Sequence, residues 1–238
     1  MALVYCANPI VTDGMVFYYD QKNSKTGDTK ELINNRTATT QTTNTREFGT
    51  DSLFQRCHGL STSGTAGAAG TGFSMSAWII RTGSGTTGWD SIIRIYGGSE
   101  PLYRMMWFGW MQNTTDQFHC SFPYKNSTNV STYWDVNPTF ANAGMTLSLN
   151  TWYNFSLSYN NSTRVLNTYI DANFALSGTR PNVGNDALNW PGNTGPRLYG
   201  TSGNTYIKGQ IDSVVMYDRP LSAAEVQQNF DNRKHLYK

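Results

Sequence analysis

The stretch Gln210 to Tyr217 carries apolar side chains on both residue parities, with Ile211, Val215 and Tyr217 on one and Val214 and Met216 on the other. A strand of that kind needs cover on both faces, so it belongs inside a layered sheet. Local chemistry then ends it. Pro220 lacks the N–H that a ladder requires, and Ser222-Ala223-Ala224-Glu225 reads as a capping box that opens a helix. The Ser222 hydroxyl is expected to accept from the Glu225 N–H, the Glu225 carboxylate to return to the Ser222 N–H, and Leu221 to staple to Val226. This helix runs to about Asn232, and Val226 and Phe230, four residues apart, give it one apolar stripe that would dock it on the end of a sandwich.

Most of the remaining chain is read as strands. Only 14% of its 238 residues are charged, 13% are aromatic and 22 are glycine, a mixture suited to short strands joined by polar turns. Met15 to Tyr19, Ser52 to Cys57, Phe73 to Arg81, Ser91 to Tyr96, Leu102 to Met111 and Gln117 to Phe122 are strand candidates, spaced as in a meander. Phe73, Met75, Ala77 and Ile79 share one face, and Leu102 to Met111 reads as a central strand. Thr151 to Tyr159 and Arg164 to Ile170 flank Asn160-Asn-Ser-Thr163 as a hairpin. Gln21 to Thr50 is read as a polar surface excursion, Gly59 to Gly72 as a loop, and the segment holding Trp134 and Pro138 as another. The organisation expected is an extended arm over 1–13 and a single domain over 14–238.

The closing run Gly209-x-Ile211-Asp212-x-Val214-x-Met216-Tyr217-x-Arg219-x-Leu221-Ser222-x-x-Glu225 resembles the end of laminin-G-like, concanavalin-A-like jelly rolls. Ile10-Val-Thr-Asp-Gly-Met-Val-Phe-Tyr-Tyr-Asp20 is similar to the opening of laminin-G-like domains of bacteriophage virion proteins. Trp78 and Trp152 stand where that family keeps its tryptophans, and Asp171 matches as well. Ala172 replaces the usual glycine, so either the turn there differs or Asn173 takes its left-handed position. The resemblance implies an all-β fold, a concanavalin-A-like jelly-roll β-sandwich with one short C-terminal helix.

Several function classes find no support. The formal net charge of +2 comes from scattered Lys and Arg, with no basic run to track nucleic acid. Met1 to Ala7 has no cationic n-region and no later run suits a bilayer, so neither a signal peptide nor membrane insertion is expected. Cys6, Cys57 and Cys120 are read as free thiols. Glycanases need two carboxylates across the scissile bond. The glutamates here are Glu31, Glu47, Glu100 and Glu225; Glu225 is assigned to the cap and the others to loops, which leaves an Asp pair as the one route to hydrolysis. His58, His119 and His235 lack zinc spacing.

Two tryptophan–aspartate dipeptides, Trp89-Asp90 and Trp134-Asp135, and the pair Asn189-Trp190 combine a ring with polar neighbours, a mixture suited to a sugar site. The same rings would equally serve to close the ends of the sandwich. No cofactor is required; calcium is the ion that loop carboxylates would hold, with Asp171 and Asp212 as ligands. Asp212 shares a parity with Val214 and Met216, so it is expected to face inward and need an Arg, a backbone N–H or a metal as partner.

The function expected is that of a non-enzymatic bacteriophage virion surface protein, decorating a capsid or borne on a fibre. It would be made in the host cytoplasm, form a homo-oligomer with other virion proteins as partners, and bind host-surface carbohydrate. A stand-alone lectin module is the alternative, and a glycoside hydrolase the third reading.

Overall fold

The computed structural model describes residues 9–20, 39–42, 45–47, 71–82, 89–97, 104–111, 117–125, 131–181, 196–198 and 209–238. In chain order the strands are β1 (Met15–Asp20), β2 (Thr39–Thr42), β3 (Thr45–Glu47), β4 (Gly72–Arg81), β5 (Trp89–Gly97), β6 (Arg104–Met111), β7 (Phe118–Lys125), β8 (Ser131–Val136), β9 (Trp152–Asn160), β10 (Val165–Ile170), β11 (Asn173–Thr179), β12 (Pro196–Leu198) and β13 (Gly209–Tyr217), followed by helix α1 (Ala223–Lys234). They form two antiparallel sheets, a six-stranded one ordered β1-β13-β4-β9-β10-β11 and a seven-stranded one ordered β2-β3-β12-β5-β6-β7-β8. The all-β sandwich with a short C-terminal helix is therefore present. The candidate strand at Ser52 to Cys57 and the loop to residue 70 lie outside the described residues.

Alternation builds the core. Phe73, Met75, Ala77 and Ile79 of β4 and Tyr153, Phe155, Leu157 and Tyr159 of β9 point from the six-stranded sheet toward Phe118, Cys120, Phe122, Trp134 and Val136 of the seven-stranded one. The Phe118 and Phe155 rings stack across the gap at 4.2 Å. Close approach of backbones at the edge of β4 requires Gly72, where φ is +150° and a Cβ would meet the Tyr159 carbonyl oxygen at 1.9 Å.

β13 is covered on both faces, but its two parities do not hold along its length. Its pairing with β4 shifts register between Ile211 and Ser213, a bulge that turns the strand over by one residue. Ile211, Val214 and Met216 consequently share the central core, while Val215 and Tyr217 join a second cluster on the outer face of the six-stranded sheet.

That outer face is where α1 lies. The capping box forms: the Glu225 N–H donates to Ser222 Oγ at 3.3 Å, and the Ser222 N–H donates to Glu225 Oε2 at 2.8 Å. Leu221 and Val226 are buried in one cluster, as a hydrophobic staple requires. A helix of this length is marginal alone, and the sheet holds it. Ser74 Oγ accepts the Leu221 N–H at 2.7 Å and donates to the Arg219 carbonyl at 2.9 Å, while Ser158 Oγ donates to the Leu221 carbonyl at 2.7 Å. The expected docking on the end of the sandwich is thus corrected. Short serine side chains on β4 and β9 let the Pro220–Leu221 segment sit directly on the sheet, and Phe230 stacks on Trp78 at 5.6 Å.

The N-terminal arm adds to the same layer. The Val11 N–H donates to Asn229 Oδ1 at 2.8 Å, Tyr217 Oη donates to the Val11 carbonyl at 3.1 Å, and Gln228 Nε2 donates to the Pro9 carbonyl at 2.7 Å. Arg219 joins arm to helix, its Nε at 2.9 Å from Asp13 Oδ2 and its Nη2 at 2.6 Å from Glu225 Oε1. That guanidinium, with the Ser222 hydrogen bonds, holds the Glu225 carboxyl down at a pKa of about 2 against the cost of burial.

Candidate sugar-binding face

The opposite exterior, that of the seven-stranded sheet, is built differently. In β7 the sequence Phe118-His-Cys-Ser-Phe122 alternates strictly, so Phe118, Cys120 and Phe122 enter the core while His119 and Ser121 take the other face. β8 pairs with it in register, Cys120 with Val136, Ser121 with Asp135 and Phe122 with Trp134. Val136 and Trp134 are core residues, which leaves the exposed Asp135 beside Ser121 on the outward face.

His119 is 5% exposed. Its Nδ1 pairs with Asn137 Oδ1 at 2.6 Å, and its Nε2 lies 3.8 Å from Asp135 Oδ1. Burial pushes the imidazole pKa down, and Asp135 and the Asn137 hydrogen bond pull it back only in part. Burial pushes the Cys120 thiol well up, which removes it as a nucleophile.

The two tryptophan–aspartate dipeptides are divided by the pleat. Both lie in strands, where successive residues take opposite faces, rather than in loops. Trp134 is 9% exposed, packed against Phe122 and Tyr159; it closes the core and offers no face to a sugar. Its neighbour Asp135 faces outward. Asp90 pairs in register with Trp110, which pairs with Phe118, a core residue, whereas Trp89 takes the ladder position opposite Met111. In Trp134-Asp135 the ring and the carboxylate therefore lie on opposite faces of one strand, while the side chains of Trp89 and Asp90 lie outside what the structure describes. Asn189 and Trp190 lie outside the described residues.

Asp171 and Asp212 both face the C-terminal residues. Asp171 Oδ1 accepts the Asn154 N–H at 2.8 Å and its Oδ2 meets the Lys238 ammonium. Asp212 accepts from the Tyr237 hydroxyl. The bulge carries Asp212 out of the parity of Val214 and Met216, so it meets the outer layer instead of pointing inward. No group of three or more His, Cys, Asp or Glu side chains comes together among the described residues. No helix among them is long and apolar enough to cross a membrane.

Sequence reasoning passed over Ser121 and Asn137 and weighed His119 only for zinc spacing. The signal that would have found them is the same alternation, since the polar residues between Phe118, Cys120 and Phe122 are those that the sheet presents outward.

Residues 58–227 match the laminin-G-type family model described as the concanavalin A-like lectin/glucanases superfamily. The chain belongs to that superfamily. None of the curated proteins matches the sequence. Among solved structures, the fold is similar to the CBM40 of a Ruminococcus gnavus IT-sialidase bound to α2,3-sialyllactose, with a TM-score of 0.51, 10% identity, and coverage of 65% of this chain and 80% of that one. It is similar to a Trypanosoma rangeli sialidase in complex with the inhibitor DANA, at a TM-score of 0.58 and 12% identity, covering 100% of this chain and 36% of the sialidase. The binding domain of botulinum neurotoxin DC, in complex with SialylT, gives 0.55 and 11%, with 92% of this chain and 51% of the other covered. At these identities the likeness is one of fold. This superfamily member shares a sandwich fold with parts of all three.

Proposed function

We propose that this superfamily member is a non-catalytic carbohydrate-binding module carried on the surface of a bacteriophage virion, as capsid decoration or as part of a fibre. The observation that carries the sugar-binding reading is the contrast between the two exteriors. The six-stranded sheet is covered by α1 and the arm, whereas the seven-stranded sheet carries the exposed Asp135 on its far face, beside the buried Ser121 and His119. Polar side chains fixed on a rigid sheet suit sugar hydroxyls, because the donors and acceptors are held in place before the ligand arrives. Glycan-binding structures that share the fold support the same reading.

The virion setting rests on the resemblance of Ile10–Asp20 and the closing run to phage laminin-G-like domains. Its partners would be other virion proteins and further copies of this chain, made in the host cytoplasm. A glycan array with the purified protein tests binding, and mass spectrometry of purified particles tests the setting. Binding without incorporation would favour a stand-alone lectin module. Turnover of any polysaccharide in a hydrolysis assay would overturn the non-catalytic reading.

A further inference from the structure

The cover over the six-stranded sheet ends before its edge strand, β11. On β10, Leu166 and Ile170 belong to the core, so Val165, Asn167 and Tyr169 take the outer face. Tyr169 is buried there with Leu221 and Val226. The ladder sets Phe174 opposite Tyr169, Ser177 opposite Asn167 and Thr179 opposite Val165, and directly paired residues share a sheet face. Phe174, Ser177 and Thr179 are all exposed.

A bulge puts Phe174 on this face. Leu176 packs against the core, and a Cβ on Gly178 would meet Val136 and Trp134, so strict alternation would send Phe174 inward with them. The register shifts instead between Thr168 and Tyr169. Ala175 therefore enters the core, and Phe174 emerges 54% exposed. Hydrophobic burial alone favours the reverse, with the larger side chain inside, and an exposed aromatic on an edge strand invites non-specific pairing. The Phe174 ring is held by an edge-to-face contact with Tyr169, at 6.0 Å and 78°.

We infer that this shelf is a further sugar site, for an uncharged hexose; the inference rests on the sugar-binding reading above and adds a site and a ligand class to it. Phe174 offers a fixed aromatic surface to the C–H groups of a pyranose ring. The Asn167 amide and the Ser177 and Thr179 hydroxyls supply donors and acceptors for its hydroxyls, and no hydrogen bond ties these three side chains to other described residues. Opposite residues of the ladder stand roughly 5 Å apart and alternate residues of a strand about 7 Å, the reach of one pyranose. None of the six outward residues carries a formal charge, and Asp171 beyond them is engaged by the Asn154 N–H and the Lys238 ammonium. The shelf therefore holds nothing that selects an acidic sugar.

Calorimetric titration of the full chain with lactose, cellotriose and maltotriose, and with sialyllactose as the acidic comparison, tests this. At least one neutral probe is expected to bind with an affinity that salt leaves unchanged, and sialyllactose to bind no tighter than lactose. Because Phe174 stands largely in solvent, F174A is expected to keep the melting midpoint of the parent and to weaken the neutral probe about fivefold or more through loss of the stack. F174Y is expected to retain binding, and L149A, which removes a comparably exposed leucine on the loop before β9, to change nothing. Should F174A melt lower than the parent, N167A decides, with a weakening of about threefold or more expected from the lost amide. Neutral binding untouched by the deciding variant, binding confined to the acidic probe, or no binding of any of the four probes overturns the inference, and glycans found on an array would still spare the sugar-binding reading. Absence of binding to every glycan on the array overturns both.

Discussion

The Tyr237 ring stacks on the Trp78 indole at a centroid separation of 4.2 Å with 12° between the planes, joining the last turn of the chain to its first long core strand. Phe230 stacks on Trp78 as well, and Trp152 packs on Tyr237. Tyr237→Ala is expected to lower stability by about 3 kcal/mol, the loss of an aromatic from a packed site. Tyr237→Phe keeps the stack and removes only the hydrogen bond to Asp212, for about 1 kcal/mol or slightly more. Urea unfolding of both variants checks the pair; equal losses would mean that stacking contributes nothing.

The capping box gives a pH signature. Glu225 titrates at about 2 in the folded chain against an ordinary 4.5, so its folded carboxylate is favoured over the unfolded one. The stabilisation is fully present above pH 4.5 and disappears as pH falls through about 2. Glu225→Gln is therefore expected to flatten the decline in melting midpoint over that window, and Ser222→Ala to cost about 1 kcal/mol at pH 7. A decline as steep in Glu225→Gln as in the parent would show that other carboxylates carry it.

The turn between β10 and β11 places both Asp171 and Ala172 in left-handed conformations, at φ of 50° and 63°, the arrangement of a two-residue type I′ hairpin. Ala172 itself takes the position, and Asn173 begins β11. An L-residue pays about 1 kcal/mol or more for that conformation. Ala172→Gly is expected to raise stability by about 0.5–1 kcal/mol, after the added freedom of the unfolded glycine is set against the relieved strain. Differential scanning calorimetry would detect a change of that size.

Trp134→Ala is expected to cost about 3–5 kcal/mol of folding free energy. Any surviving folded fraction should bind glycan as tightly as the parent. Weakened binding with unchanged stability would place the ring outside the core and reverse its assignment.

Asp171 and Asp212 each have protein partners, so chelation by EDTA is expected to leave the melting midpoint where it was. A rise in midpoint with added calcium, dependent on its concentration, would instead reveal an ion bound to the folded state.

How far the sequence could be read depended on how strongly each segment reported its own environment. β4, β9, β10, β13 and the Ser222–Glu225 cap were legible because apolar periodicity and cap chemistry are local signals. β11 was not, since its Asn-Phe-Ala-Leu-Ser-Gly-Thr run leaves Phe174 54% exposed and buries only Ala175, as an edge strand can. β2 and β3 are polar and short, and read as surface loop. β8 was hidden by its Asn- and Ser-rich flanks, which took Trp134 with them. The bulge at Asp212 was invisible because a register shift is decided by the partner strand β4 and leaves no mark on periodicity. The candidate site was the least legible part: Ser121 and Asp135 are seen to share a face only once β8 is paired in register with β7.

Coverage of one exterior by α1 and the arm makes the molecule directional. Copies tethered through residues 9–13 or 219–238 would all present β5 to β8 outward, away from the support. On a regular lattice the spacing between copies would then set how many ligands one multivalent target engages at once, and weak individual contacts would add as avidity over the array.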